Sequence, residues 1–336
     1  MATLQVRNPT LLDLARSKDP DGKQAVTVEI LDEVNDELED MVWLEGNLAT
    51  GNLTTIRSGL PQPTWRKMYG GTQPTKGTKV QVTDNTGMLT ALSEVDVDLA
   101  DLSNDLAAFR LSEDTSHIEG MKQEISNILW FGNENTQPEA FTGFAPRFNS
   151  TTAENGDNII LGGSLSGQTD NTSIWLVVWD EQLTHGIVPK GSVAGMKVED
   201  LGKILIQDAS DGQNTGRMMA YVTSYKWFAG LTMKDWRYVV RIPNIDKSLL
   251  TNDASSGADL PDLMFQAMTL VPNLSRGRPA FYMNRTVMSF LRRQLAAATN
   301  MSTLQIENVG GKMVTKFQGI PIRRVDTLAA DEARIT

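Results

Sequence analysis

The stretch Gly46-Asn-Leu-Ala-Thr-Gly-Asn-Leu-Thr-Thr-Ile-Arg-Ser-Gly-Leu-Pro-Gln-Pro-Thr-Trp-Arg-Lys-Met-Tyr-Gly-Gly-Thr-Gln-Pro-Thr-Lys-Gly-Thr-Lys-Val-Gln-Val-Thr83 contains no aspartate or glutamate, while Arg57, Arg66, Lys67, Lys76 and Lys79 all fall inside it. Pro61, Pro63 and Pro74 exclude a continuous helix. Short β-like pieces at 54–56 and 79–82 frame the segment, and Trp65, Met68 and Tyr69 stand in its middle with no local core to enter. Long irregular segments inside compact domains are uncommon and usually functional. Two readings are open: a projecting two-stranded arm that buries its apolar residues on another subunit, or a disordered surface loop. Disordered loops are poor in Trp and Tyr, which favours the arm.

On the N-terminal side the charge is reversed. Over 29–45, Leu31, Val34, Leu38, Met41 and Val42 recur at helical spacing and predict one apolar stripe. The other faces carry Glu29, Asp32, Glu33, Asp36, Glu37, Glu39, Asp40 and Glu45 without a basic residue among them. Such a face is either solvated or half of an ion-pair interface, and the basic arm of another copy is the partner it would fit.

On the C-terminal side, residues 93–99 alternate as a half-buried strand. Ser116-x-x-Glu119 has the form of a capping box, followed by the stripe Ile118, Met121, Ile125, Ile128 and Leu129 and a stop at Gly132-Asn133. A rod of about 24 Å is expected. Residues 149–173 are rich in Asn, Gly, Ser and Thr and read as a linker or surface loop. The continuous apolar run 174–179 predicts a fully buried strand. Further strands are expected at 218–222, at 236–242 (ended by Pro243), at 278–283 and at 319–325. Helices are expected over 260–270 and after Asn284, read as an N-cap, with a polar loop at 252–257 and a turn at Gly310-Gly311. The order is mixed, without βαβα alternation, so the fold class is α+β.

With 336 residues and 40% hydrophobic content, the chain can bury a sizeable core. A net charge of −10 argues against a protein that grips nucleic acid along its surface, so any DNA would be contacted only weakly. The absence of cysteine excludes disulfides and thiolate metal sites. The N-terminus lacks a signal core, and no membrane-spanning run is present; a soluble, intracellular product is expected.

Catalytic constellations are sparse. The two histidines are His117, expected at a helix start, and His185, expected in a loop; neither belongs to an H-E-x-x-H pair. Gly70–Gly77 lacks the Gly-Lys-Ser/Thr order of a phosphate loop. Gly163–Gly167 has Leu where a nucleophile elbow needs Ser, and 208–212 lacks the ligands of a calcium loop. No catalytic, cofactor-binding or metal site is expected, and the chain is read as a non-enzyme. A soluble hydrolase is the enzyme alternative.

Several segments, in order, resemble tailed-bacteriophage major capsid proteins with the HK97-like fold. These are the charged arm at 54–90 in the place of that family's extended loop, and 116–129 in the place of its spine helix. The tail Trp130-Phe-Gly-Asn-Glu-Asn-Thr-Gln-Pro138 leads into Phe141-Thr-Gly-Phe144, followed by Ala280-Phe-Tyr-Met-Asn-Arg-Thr-Val-Met-Ser-Phe-Leu291 and Phe317-Gln-Gly-Ile-Pro-Ile322. Trp175–Trp179, His185–Ser192 and Asp235–Arg241 are similar to a podovirus and siphovirus subgroup. The resemblance spans about 50–326 and implies an extended β-hairpin arm, a long spine helix, and peripheral and axial domains. The division expected from it is an N-terminal arm with the acidic helix at 1–50, the extended loop at 51–92, and a peripheral domain with the spine helix at 93–172. An axial domain at 173–260 and a return with C-terminal strands at 261–336 complete it.

What the resemblance implies is a subunit of an icosahedral shell around double-stranded DNA, located in the virion and made in the host cytoplasm. Its partners would be itself, as hexamers and pentamers, a scaffolding protein, a portal protein and a decoration or cement protein. With the acidic helix starting near residue 29, little room is left for a long N-terminal scaffolding segment, so the scaffold is expected to be a separate protein. No Asn can be paired with Lys67, Lys76 or Lys79, so no covalent crosslink is expected. An encapsulin-type shell and a tail-tube protein are the structural alternatives.

Overall fold

The computed structural model describes residues 33, 35–102, 105–163, 170–207, 217–252, 257–297, 304–309, 312–328 and 331–336. They belong to two compact units, one comprising Met1–Glu33, Met88–Ile125 and Gly195–Phe228, the other Val34–Gly87, Ser126–Ala194 and Ala229–Thr336.

In chain order the elements begin with α1 (Glu37–Asp40), β1 (Trp43–Glu45), β2 (Gly51–Gly59), β3 (Thr78–Asp96), α2 (Val97–Asp101), α3 (Leu106–Phe131) and α4 (Phe144–Arg147). Then come β4 (Asn171–Trp179), β5 (Thr184–Val188), β6 (Met196–Gln207), β7 (Arg217–Met233) and β8 (Val239–Asp246). The chain closes with α5 (Leu260–Leu270), β9 (Arg278–Met283), α6 (Arg285–Ala297), β10 (Leu304–Val309), β11 (Lys312–Phe317) and β12 (Ile320–Arg324). Among the described residues the strands follow the order β10-β11-β12-β9-β4-β5-β7-β3-β2, with β1 on β5, β6 on β7 and β8 on β4.

The larger unit is organised around β4, all of whose residues are buried. An unbroken apolar run is what a strand covered on both faces requires. Ile174, Leu176 and Val178 point into a cluster completed by Val240, Ile242, Met264, Phe281, Val287, Leu291 and Phe317. The alternate residues Trp175 and Trp179 point the other way, into an aromatic group with Trp130, Phe144 and Tyr282 whose ring centroids lie 5.3–6.5 Å apart. The smaller unit has its own core of Val95, Leu99, Ala100 and Phe109, with the β6–β7 hairpin pairing from Met196↔Trp227 to Gln207↔Arg217.

Several expectations are corrected. Among the described residues of 29–45 only Glu37–Asp40 is helical, and Trp43–Glu45 is a strand paired in parallel with Gly186–Val188. Asp32, Leu31 and Val34 lie outside the described residues. The strand expected at 93–99 ends at Asp96, whose carboxylate accepts from the Asp98 amide and starts α2. Ser116 is not a cap. The spine helix starts ten residues earlier, where Asp105 accepts from the Ala108 amide, and its 26 residues make a rod of about 39 Å. Ser116 instead donates to the Glu113 carbonyl.

Ile118 of the expected stripe is 38% exposed, while Met121, Ile125, Ile128 and Leu129 are buried. Gly132 ends the helix as expected, because a side chain there would meet the Ile128 and Phe141 carbonyl oxygens. Pro243 does not end its strand. It sits at the register shift where β8 opposes Thr172/Ile174, a bulge that removes the need for its missing amide. His185 lies in β5, buried, and its pKa is pushed down to about 4, chiefly by burial and then by the charge of Lys234. His117 lies mid-helix, stacked on Tyr225. The candidate turns at Gly310-Gly311 and 208–212 lie outside the described residues.

Candidate functional site

Strands β2 and β3 form an antiparallel hairpin from Gly51↔Asn85 to Gly59↔Thr78, with a register shift between Arg57 and Gly59. Nine residues of strand extend about 30 Å. Residues 60–77 connect the strands without regular structure, and nearly all of them are exposed. Trp65 and Tyr69 are fully exposed, and Met68 is 89% exposed. A turn closed by the Gly70 amide on the Lys67 carbonyl (3.0 Å) holds Tyr69 at φ 64°, a left-handed conformation that costs an L-residue about 1–2 kcal/mol. The local backbone thus spends energy to present an aromatic ring to solvent. Arg57, Arg66, Lys67, Lys76 and Lys79 share this arm with the exposed Leu60 and Val80.

The foot of the arm is anchored. The Arg147 guanidinium donates to Asp84 at 2.9 Å and to the carbonyls of Thr142 and Leu231 at 3.1 Å each. Asn85 donates to Glu134, the Thr86 amide to the Thr50 carbonyl at 2.9 Å, and Asn47 brackets the Leu53 backbone. Gly51 lies so close to Asp84 that a Cβ would fall 2.1 Å from its carbonyl oxygen.

Two of the acidic residues, Glu37 and Asp40, do something different from what their clustering suggested. Glu37 is buried against Ser126, and burial raises its pKa to about 7. Ser126 in turn donates to Thr327, which donates to Asn35. Asp40 holds Arg323 with both oxygens (2.7 and 2.8 Å) and accepts from Tyr282, which accepts from Trp179. The Glu33 amide donates to Glu119, and its carbonyl accepts from Lys122. Glu37 and Asp40 therefore pin this segment to its own subunit. Asp36 and Glu39 remain at the surface, lining a groove beside Arg323 and Arg324.

Sequence reasoning passed over a second network. Arg241 and Glu332 form an ion pair at 2.6 Å with both side chains 5% exposed, and Arg241 lies over the Trp175 ring at 4.9 Å. A lone arginine inside the apolar run Tyr238-Val-Val-Arg-Ile242 was the available signal, since a buried charge needs a partner. Among the described residues no cluster of three or more His, Asp or Glu could hold a metal ion, and no helix is long and apolar enough to cross a membrane.

A family model described as major capsid protein GP7 matches residues 19–336. A chain of the near-atomic-resolution cryo-EM structure of bacteriophage Epsilon15 is 37% identical with a TM-score of 0.82, covering 100% of this chain and 99% of that one. The bacteriophage JBD30 capsid matches at 8% identity and TM-score 0.48 over 89% of this chain and 92% of that one. The holo-SrpI encapsulin complex of Synechococcus elongatus PCC 7942 matches at 11% identity and TM-score 0.40, over 66% and 92%. No curated protein sequence matches. With a family match over almost its whole length, the chain belongs to the major capsid protein GP7 family of tailed phages, built on the HK97-like α+β fold.

Proposed function

We propose that this chain is the subunit of an icosahedral shell around phage double-stranded DNA, and that each copy lays its arm over a neighbour to close the shell. As a capsid protein it assembles with itself and resides in the virion. The observation that carries the arm's role is the pairing of an anchored foot with a tip that leaves Trp65, Met68 and Tyr69 in solvent. Exposing two aromatic rings and a methionine within five residues is unfavourable in a free monomer and marks an interaction surface. A neighbour's surface is the cover that a self-assembling protein has at hand. Arg57, Arg66, Lys67, Lys76 and Lys79 would set register and choice of partner face.

The finer reading follows from the same chemistry. Hexamers and pentamers would form through this contact, with a separate scaffolding protein, a portal and, where present, a cement protein bound to other faces. The segments 51–92 (arm), 93–172 (peripheral), 173–260 (axial) and 261–336 (return) would be the working parts, after the 1–50 arm. The net charge of −10 would keep contact with packaged DNA weak. The test is Arg66→Glu with Lys67→Glu. The variant is expected to yield a folded subunit by circular dichroism and no closed particles by electron microscopy. Normal particles would remove the arm's charge from the assembly mechanism.

A further inference from the structure

A groove of about 630 Å³ opens between α6 and β12. Arg285, Arg292 and Arg293 line it from the helix and Arg323 and Arg324 from the strand. Arg323 is neutralised by Asp40, and Arg285 and Arg324 share the single carboxylate of Asp326. Among the described residues Arg292 donates to the Thr315 hydroxyl at 2.9 Å, and Arg293 lies over the Phe290 ring at 5.2 Å. Among the described residues neither of these two is ion-paired. Two exposed guanidiniums that no described carboxylate pairs with, in a chain of net charge −10, fit an acidic partner.

The rest of the lining narrows the choice. Met288 is half-buried and adds apolar surface that a phosphodiester backbone would leave uncovered. A protein segment bearing both carboxylates and an apolar side chain fits this mixture better than nucleic acid does. The chain itself carries one. No Lys or Arg occurs between Lys79 and Arg110, while Glu94, Asp96, Asp98, Asp101 and Asp105 do. Asp96 and Asp105 are used as helix caps. Asp98 and Asp101 are exposed on α2, with the exposed Leu102 beside them. On the opposite side α2 buries Leu99 and Ala100 against Val95 and Phe109, which seats the knob on a core.

We propose that the α2 knob of one copy docks into the arginine groove of a second copy, Asp98 and Asp101 meeting Arg292 and Arg293 while Leu102 covers Met288. Knob and groove are different surfaces of the same chain, so the contact is head-to-tail and propagates into a ring or shell. It rests on the self-assembly reading above, and is separate from the arm. Guanidinium forks suit carboxylates held one helical turn apart.

The test is a charge swap: Arg292→Glu with Arg293→Glu, Asp98→Arg with Asp101→Arg, and all four together. Assembly is followed by light scattering and electron microscopy, with folding checked by circular dichroism and thermal melts. Each pair alone is expected to raise the threshold concentration for assembly about tenfold or more, and the fourfold variant to recover most of that loss. The docking is overturned if either folded pair variant assembles like the parent, or if the fourfold variant assembles no better than the pairs. Normal shells that lose only DNA from the groove variant would also overturn it, and assign the groove to nucleic acid. Failure of the unaltered protein to form any shell would instead count against the self-assembly reading.

Discussion

Arg147 reaches from α4 to Asp84 at the foot of the arm, 2.9 Å away, with only 4% of the Asp84 side chain exposed. The same guanidinium ties down the carbonyls of Thr142 and Leu231. One side chain thus joins the arm to the turn after the spine helix and to β7. A projecting hairpin can deliver its tip to a neighbour only if its base holds a fixed direction, and this buried ion pair supplies that constraint.

Arg147→Ala should therefore destabilise the subunit by about 3–5 kcal/mol, because it leaves Asp84 charged and buried without a partner. Chemical denaturation measures the loss, and amide exchange should quicken across 51–56 and 80–85. Pairing the change with Asp84→Leu should recover much of the stability, since an uncompensated charge costs more than a missing ion pair. A loss below 1 kcal/mol for Arg147→Ala would show that the foot is held by its backbone bonds alone.

Glu37 makes stability depend on pH in a direction opposite to that of a surface carboxylate. Burial raises its pKa from 4.5 to about 7, against the pull of the Ser126 hydroxyl. The folded state therefore keeps the proton that the unfolded chain releases near pH 4.5. The resulting stability is complete below that pH, falls as pH rises, and is gone above about pH 7. The shift corresponds to roughly 3 kcal/mol across the window. Glu37→Gln should remove this slope, so that the stability of the variant relative to the parent rises by about that amount between pH 4.5 and 7.5. Parallel pH–stability curves for the two proteins would disprove the assignment.

The parts legible in the sequence were those whose determinants are local. The run Ile174–Trp179 had to be a doubly covered strand, and Asn284 accepts from the Thr286 amide as its position before an apolar stripe implied. The arm was legible because unneutralised charge and stranded aromatic rings are visible without coordinates. Ser116 was misleading because Ser-x-x-Glu looks the same within a helix as at its start, while the true cap, Asp105, precedes a weaker stripe. Glu37 was illegible for a deeper reason. It is one of several neighbouring carboxylates, and only the packing of α1 against Ser126 separates it from those that face water. Pro243 misled because a strand-ending residue is tolerated where a bulge has already removed its ladder bond.

The segment 331–336 is bound to the larger unit through Glu332 and Ile335. The Glu332 carboxylate receives Arg241 and Ser173, its amide donates to the Asn171 carbonyl, and Asn244 exchanges two bonds with the Ile335 backbone at 2.7 and 2.9 Å. Burial lowers the Arg241 pKa, and the Glu332 charge offsets part of that effect. The two halves of the pair are not equivalent. Arg241 is built into β8 over the Trp175 ring, whereas Glu332 lies on an irregular segment that lines a pocket of about 430 Å³ open to solvent. Glu332→Ala should cost about 3–5 kcal/mol because it abandons a buried guanidinium. Arg241→Met should cost less, since the apolar stem still packs on Trp175 and the freed carboxylate can be hydrated. Thermal melts of the two variants decide between this and a symmetric pair, for which equal losses would be observed.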